Sequence, residues 1–276
     1  MQIVVTEPRC KSVFEEHLIW DVVDFVNTIF GVHYEPEEVP WEARGVYYVD
    51  FYQSSIFQEG GVWKFIAETQ LDEKIVKVTL RAMGAINASA HRSHFLKLLK
   101  FLEGFDDKPS EYFEPEGFYE HPEVAPFLQW FDDEFKKINL AEDLVDLCHA
   151  FLRQLPHLVA VPAEQYQPMM RRICAAVPNQ EKRAEEARLR KLEHETAEQK
   201  KIRKLCEIAG QSLQTFNAVD MGTEDNVPPE RWEWYVTTSH GVHYAMFAEG
   251  KVKLFNRATR DLVVERDAEE IAQLID

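Results

Sequence analysis

Residues 46–57 read VYYVDFYQSSIF, residues 58–66 read QEGGVWKFI, and residues 75–105 read IVKVTLRAMGAINASAHRSHFLKLLKFLEGF. Tyr47, Tyr48, Phe51 and Tyr52 recur at i, i+1, i+4 and i+5, the spacing of a buried helical face rather than of a strand. Gly60-Gly61 is the one Gly-Gly pair in the chain and interrupts the run. Glycines there permit a tight turn or a close backbone approach. Val62, Trp63, Phe65 and Ile66 then resume it. Ile75, Val76, Leu80 and Met83 predict a helix over 72–83, with Gly84 as its C′ glycine. Ser89 opens a second helix over 90–104, with Phe95, Leu98, Leu99 and Phe101-Leu102 inward. The short connection makes the two an antiparallel hairpin.

Upstream, Ser12 and Gly31 bracket a helix whose stripe is Phe14, Leu18, Val22, Phe25 and Ile29. Asp21 falls on that stripe. It either sits at the edge of the apolar face or pairs with an arginine, Arg81 or Arg92, because an unpaired buried charge is costly. Residues 32–44 hold Glu35, Glu37, Glu38 and Glu42 beside Pro36 and Pro40 and read as a stiff acidic loop.

Downstream, residues 103–123 hold eight acids (Glu103, Asp106, Asp107, Glu111, Glu114, Glu116, Glu120 and Glu123) against the single base Lys108. Three prolines there forbid a long helix. Helices follow at 124–138, carrying Asp132-Asp133-Glu134, at 141–155, carrying Glu142, Asp143 and Asp146, and at 163–177. Residues 179–206 are dense in Lys, Arg, Glu, Gln and Ala and read as one long solvated helix. Thr196 and Gln199 stand where a coiled-coil seam needs apolar residues. The period then changes to two at Trp232, Trp234 and Val236, again at Val242, Tyr244 and Met246, and again at Val252 and Leu254. Leu262-Val263-Val264 completes a meander of three or four strands. Asp267 caps a last helix with Ile271 and Leu274 inward. The expected fold is mainly α: an all-α domain at 1–177, a charged linker helix at 178–210, and a small α/β module at 211–276.

The chain has 276 residues, is 45% apolar and carries a net charge of −17. Residues 1–150 hold 28 acids and 13 bases, and residues 151–276 hold 20 and 18, so the excess sits in the first half. Such a surface repels nucleic acid and attracts basic partners. No apolar run is long enough for a membrane helix. The start, MQIVVTEPRC, lacks the form of a secretory signal. The four cysteines are widely spaced, which fits reduced thiols and a cytoplasmic location.

The central stretch resembles a bacterial domain family of largely unknown function, typified by a small acidic DNA-mimic protein. The resemblance lies in Tyr48–Phe57, then Glu59-Gly60-Gly61-Val62-Trp63-Lys64-Phe65, then Met83-Gly84-Ala85, then His94–Phe101, then Phe131-Asp132-Asp133-Glu134-Phe135. It covers roughly residues 10–160. Glu59 stands where the family favours Asn, Glu68 stands near a second favoured Asn, and Val62 replaces a common Phe. The resemblance implies an acidic face that imitates DNA phosphates and captures a DNA-binding transcription factor, and it implies a homodimer.

No phosphate loop, dinucleotide fingerprint or hydrolase motif occurs. His91 and His94 lie three apart on a helix without further ligands for zinc and read as part of a solvated face. His240 and His243 flank a hairpin turn and read likewise. Cys148 and His149 are sequence neighbours on a helix, so their side chains diverge. These readings give no catalytic, cofactor or metal residues. The expected function is a non-enzymatic acidic interaction module for a basic, nucleic-acid-binding protein. Its contact residues are Glu103, Asp106, Asp107, Glu111, Glu114, Glu116, Asp132, Asp133, Glu134, Glu142 and Asp143, with Gly60, Gly61 and Trp63 as a structural loop. Three alternatives stand beside it. One is an immunity or antitoxin-like protein that neutralises a basic nuclease. Another is an enzyme with a cleft at Gly60-Gly61 that holds His91, Asp21 and an arginine. The third is an assembly role for the 179–206 helix.

Overall fold

The computed structural model describes all residues except 12, 13, 15, 59, 105–122, 194, 221–232 and 276, together with the side chains of 191 and 218–220. The chain divides into two compact units, Met1–Ala184 and Glu185–Asp276. No described helix is long and apolar enough to cross a membrane.

The first unit is helical with one small sheet. In order it contains β1 (Ile3–Thr6), α1 (Glu7–Cys10), α2 (Glu16–Gly31), α3 (Trp41–Phe57), α4 (Gly61–Thr69), α5 (Glu73–Ala85), α6 (Ser89–Leu102), α7 (Val124–Asn139), α8 (Leu144–Leu152), β2 (Leu158–Val161) and α9 (Ala163–Ala175). The sheet corrects the all-α expectation. β1 and β2 pair in parallel, Ile3 opposite Leu158 through Thr6 opposite Val161. Ile3, Val4 and Val5 are wholly buried, which explains an apolar run with no polar alternation.

The core is aromatic. Tyr52 on α3 is surrounded edge-on by Phe65, Phe95 and Phe135 at ring distances of 5.5, 5.2 and 5.3 Å, the favoured arrangement of ring quadrupoles. α3 and α5 cross closely at Gly45, where a Cβ would meet that of Ala82 at 2.6 Å. Asp72 caps α5 through the amides of Lys74 and Ile75, at 2.8 and 3.3 Å. Gly84 is not the terminator of α5. It lies within the helix, and the chain turns at Asn87, with φ of +62°. Leu18, Val22, Phe25 and Ile29 face inward as expected, whereas Phe14 is exposed. The Ser12 cap lies outside the described residues.

Residues 178–210 form two helices rather than one, α10 (Gln180–Glu193) and α11 (Ala197–Ile208). Thr196 and Gln199, misplaced for a seam, are the capping box that starts α11. Nor is α11 solvated throughout. Ile202, Leu205 and Cys206 are buried in the core of the second unit. That unit is an antiparallel meander of five strands: β3 (Leu213–Asp220), β4 (Glu233–Thr238), β5 (Gly241–Ala248), β6 (Lys251–Asn256) and β7 (Leu262–Asp267). Trp234, Val236, Ala245, Val252 and Leu254 form its buried face. α12 (Ala268–Gln273) closes it, capped by Asp267 and inserting Ile271, while Leu274 is exposed.

Candidate partner-binding surface

The acids singled out from the sequence fall into two groups. In the first, the carboxylate is committed to a helix end. Asp132 on α7 accepts the Val62 amide at 2.9 Å, which caps α4 from 70 residues away. Glu142 accepts the amides of Ala90 and His91, each at 3.0 Å, and so caps α6. Asp143 caps its own helix, α8, through Val145 and Asp146 at 2.8 and 3.3 Å, and receives the Asn139 side-chain amide at 3.3 Å. Each satisfies amides that a helix leaves without partners at its first turn.

In the second group the carboxylate faces solvent. Glu103 and Asp133 are exposed. Glu134 is half-buried and paired with Lys137 at 3.1 Å, a pair of small energetic weight at a surface. Asp106, Asp107, Glu111, Glu114 and Glu116 lie outside the described residues. Glu37 and Glu38, in the loop before α3, pair with Lys74 and Arg183.

Gly60, Gly61 and Trp63 line a cleft of about 400 Å³ together with Gln58, Asp132 and Lys136. Burial pushes the Asp132 carboxyl up to about 6, against the pull of the Val62 amide and of Lys136. Among the described residues no histidine or cysteine lines this cleft, and neither Asp21 nor His91 reaches it. Asp21 is not at an edge. It is buried, pairs with Arg9 at 3.0 Å, and accepts the Thr6 amide and hydroxyl at 2.6 and 2.8 Å. The partner is therefore Arg9 and not Arg81 or Arg92.

His91 and His94 are wholly buried and do not form a solvated face. Each meets a backbone carbonyl 2.9 Å from Nε2, that of Glu142 and that of Phe131. A carbonyl only accepts, so Nε2 carries the proton. Burial lowers both pKa values, partly offset by these bonds. His240 is exposed, while His243 is buried beside Thr238 and the Gly241 carbonyl. Cys148 is buried, and burial first, then the charges of Asp50 and Asp143, pushes its thiol up, away from a nucleophile's range. No group of three or more metal-ligating side chains occurs among the described residues.

One partly buried acid escaped sequence reading. Asp50, on the helical run that organises the core, is half-buried with no hydrogen-bond partner among the described residues, and burial pushes its carboxyl up to about 6. On a helix, nothing in the one-dimensional pattern distinguishes it from a solvated acid.

No curated protein and no solved structure matches the chain. Residues 37–155, which run from the turn before α3 to just past α8 and contain the Gly60-Gly61 cleft, the buried histidines and both groups of acids, are similar to a family described as DMP19-like protein.

Proposed function

We propose that this chain is a non-enzymatic interaction module that presents exposed carboxylates to a basic, DNA-binding protein, in the manner of a DNA mimic. The observation that carries the reading is the charge of the segment similar to the DMP19-like family: 22 acids against 12 bases over residues 37–155. A groove-reading protein gains its Coulomb and counterion-release energy from spaced negative charge, whether that charge is phosphate or carboxylate. Glu103 and Asp133 are exposed and available for contact, and Asp106, Asp107, Glu111, Glu114 and Glu116 are assigned to the contact from the sequence pattern alone. Asp132, Glu142 and Asp143 hold the scaffold on which the others are displayed. The domain that does this spans about residues 1–177. The widely spaced cysteines further fit a cytoplasmic location, and the family resemblance implies a homodimer.

The test is capture of partners from cell lysate at low and at high salt. A retained basic DNA-binding protein, released by high salt and displaced by double-stranded DNA, supports the reading. Charge reversal at Asp133 and Glu103 weakens that capture. A retained nuclease whose activity is blocked moves the protein to the immunity class. Absence of any salt-sensitive partner overturns the reading and leaves the charge as a solubility feature.

A further inference from the structure

Because Asp21 takes Arg9, Arg81 and Arg92 have no carboxylate partner among the described residues. Both line a cleft of about 590 Å³ between the last turn of α5 and the first turn of α6, with Asn87, Ser89 and Ser93. Among the described residues no acidic side chain lines it. The Arg81 guanidinium lies over the Trp41 ring, Cζ 3.7 Å from the centroid. Stacking of this kind orders the group and leaves its N–H edge free for an acceptor.

The helix-end backbone around the cleft is already engaged in hydrogen bonds. The carbonyls of Ala82, Met83 and Gly84, at the negative end of α5, already accept the amides of Ile86, Ala88 and Asn87. The first amides of α6 are equally committed, since Glu142 holds those of Ala90 and His91. Binding there would rest on side chains: two guanidinium forks, the Asn87 amide and the Ser89 hydroxyl. The Ser93 hydroxyl is engaged with the Ser89 carbonyl at 2.9 Å.

We propose that the cleft between α5 and α6 binds the oxyanion group of a small molecule, a phosphate or a carboxylate, with Arg81 and Arg92, which both line it, as the donors. Planar N–H forks match the oxygens of either group two at a time. In a chain of net charge −17, a site for an anion needs cations that no carboxylate already holds, and among the described residues Arg81 and Arg92 are such a pair. The inference does not depend on the protein-partner reading, because none of the described contact acids lines the cleft.

The experiment is a titration of the full chain with potassium phosphate and, separately, with sodium succinate. Each is matched by sodium chloride at equal ionic strength and followed by the NMR resonances of the arginine Nε–H groups and the amides of Asn87 and Ser89. Saturable shifts beyond those of chloride are expected with one or both anions. Saturation by phosphate alone assigns a phosphate ligand, and saturation by succinate alone a carboxylate. Arg92 is exposed, so Arg92→Ala should leave the fold intact, and it should weaken binding roughly ten-fold, the worth of a charge-assisted hydrogen bond. Arg81→Lys, which keeps the charge but loses the fork, should weaken it as well. Shifts that only follow ionic strength, or saturation unchanged by Arg92→Ala, overturn the proposal.

Discussion

The carboxylate of Asp132 occupies the space that a side chain at residue 61 would need. A Cβ built on Gly61 collides with it, while Asp132 Oδ1 accepts the neighbouring Val62 amide at 2.9 Å. Gly61 also holds a φ of +59° and Gly60 one of +107°, in the region that L side chains avoid. The Gly-Gly pair and the acid 71 residues later are thus one device. The glycines let α7 come close enough for its aspartate to start α4.

Gly61→Ala should therefore destabilise the first unit by about 2–3 kcal/mol, from left-handed strain and from displacement of the cap. In an Asp132→Ala background the same substitution should cost only about 1 kcal/mol, the strain alone. Urea unfolding of the four variants gives the coupling directly. Equal costs in both backgrounds would refute the shared geometry.

The two groups of acids should separate in stability measurements. Glu142→Ala removes the cap from α6, and Asp143→Ala the cap from α8. Each should cost about 1 kcal/mol, read as a fall of about 2–4 °C in Tm for a unit of this size. Asp133→Ala, exposed and committed to no amide, should stay within about 0.5 kcal/mol of the parent. A cost at Asp133 as large as at Glu142 would contradict the division.

The helices were legible where their signals are local. The aromatic spacing of α3 and the Asp267 cap both act within four residues. Asp143 could have been found the same way, as an N-cap directly before the apolar run LVDLCHAFL. What was not legible is non-local. The partner of β1 is 155 residues distant, and four residues of IVVT carry no sign of parallel pairing. Asp132 and Glu142 cap helices 70 and 52 residues away, so in the sequence they are two more members of an acidic run. The buried histidines were obscure for a related reason. Their satisfying carbonyls belong to other elements, and a His-x-x-His spacing alone does not say which face of the helix is covered.

Tyr52 offers a cleaner test of the core. It is fully buried, yet its hydroxyl has no hydrogen-bond partner among the described residues. Burial raises its pKa well above the ordinary value, and the nearby Asp132 charge adds to this. Tyr52→Phe keeps the ring contacts and removes an unpaired polar atom, so it should be neutral or stabilise by up to about 1 kcal/mol. Tyr52→Ala should cost about 3–5 kcal/mol through the cavity among Phe65, Phe95 and Phe135. A marked loss on Tyr52→Phe would show that the hydroxyl has a partner in solution.

The buried titratable groups give stability a pH dependence of two opposed signs. His91 and His94 have pKa values lowered by burial. The unfolded chain takes up protons near 6.5, where the folded chain does not, so stability falls as pH drops below that value. Asp50 and Asp132 are pushed the other way, up to about 6. The folded chain holds their protons where the unfolded chain has released them, so their contribution is present below about 4 and is lost as pH rises to about 6. Asp50→Asn, which has no cap to lose, should therefore gain stability over the parent at pH 7.5, by roughly 1–2 kcal/mol after allowance for partial exposure. It should gain little at pH 4.5. His94→Gln should flatten the fall between pH 7 and 5. Unfolding free energies across that range decide it. A gain for Asp50→Asn that does not grow with pH would mean that the carboxyl is solvated or paired in the folded state.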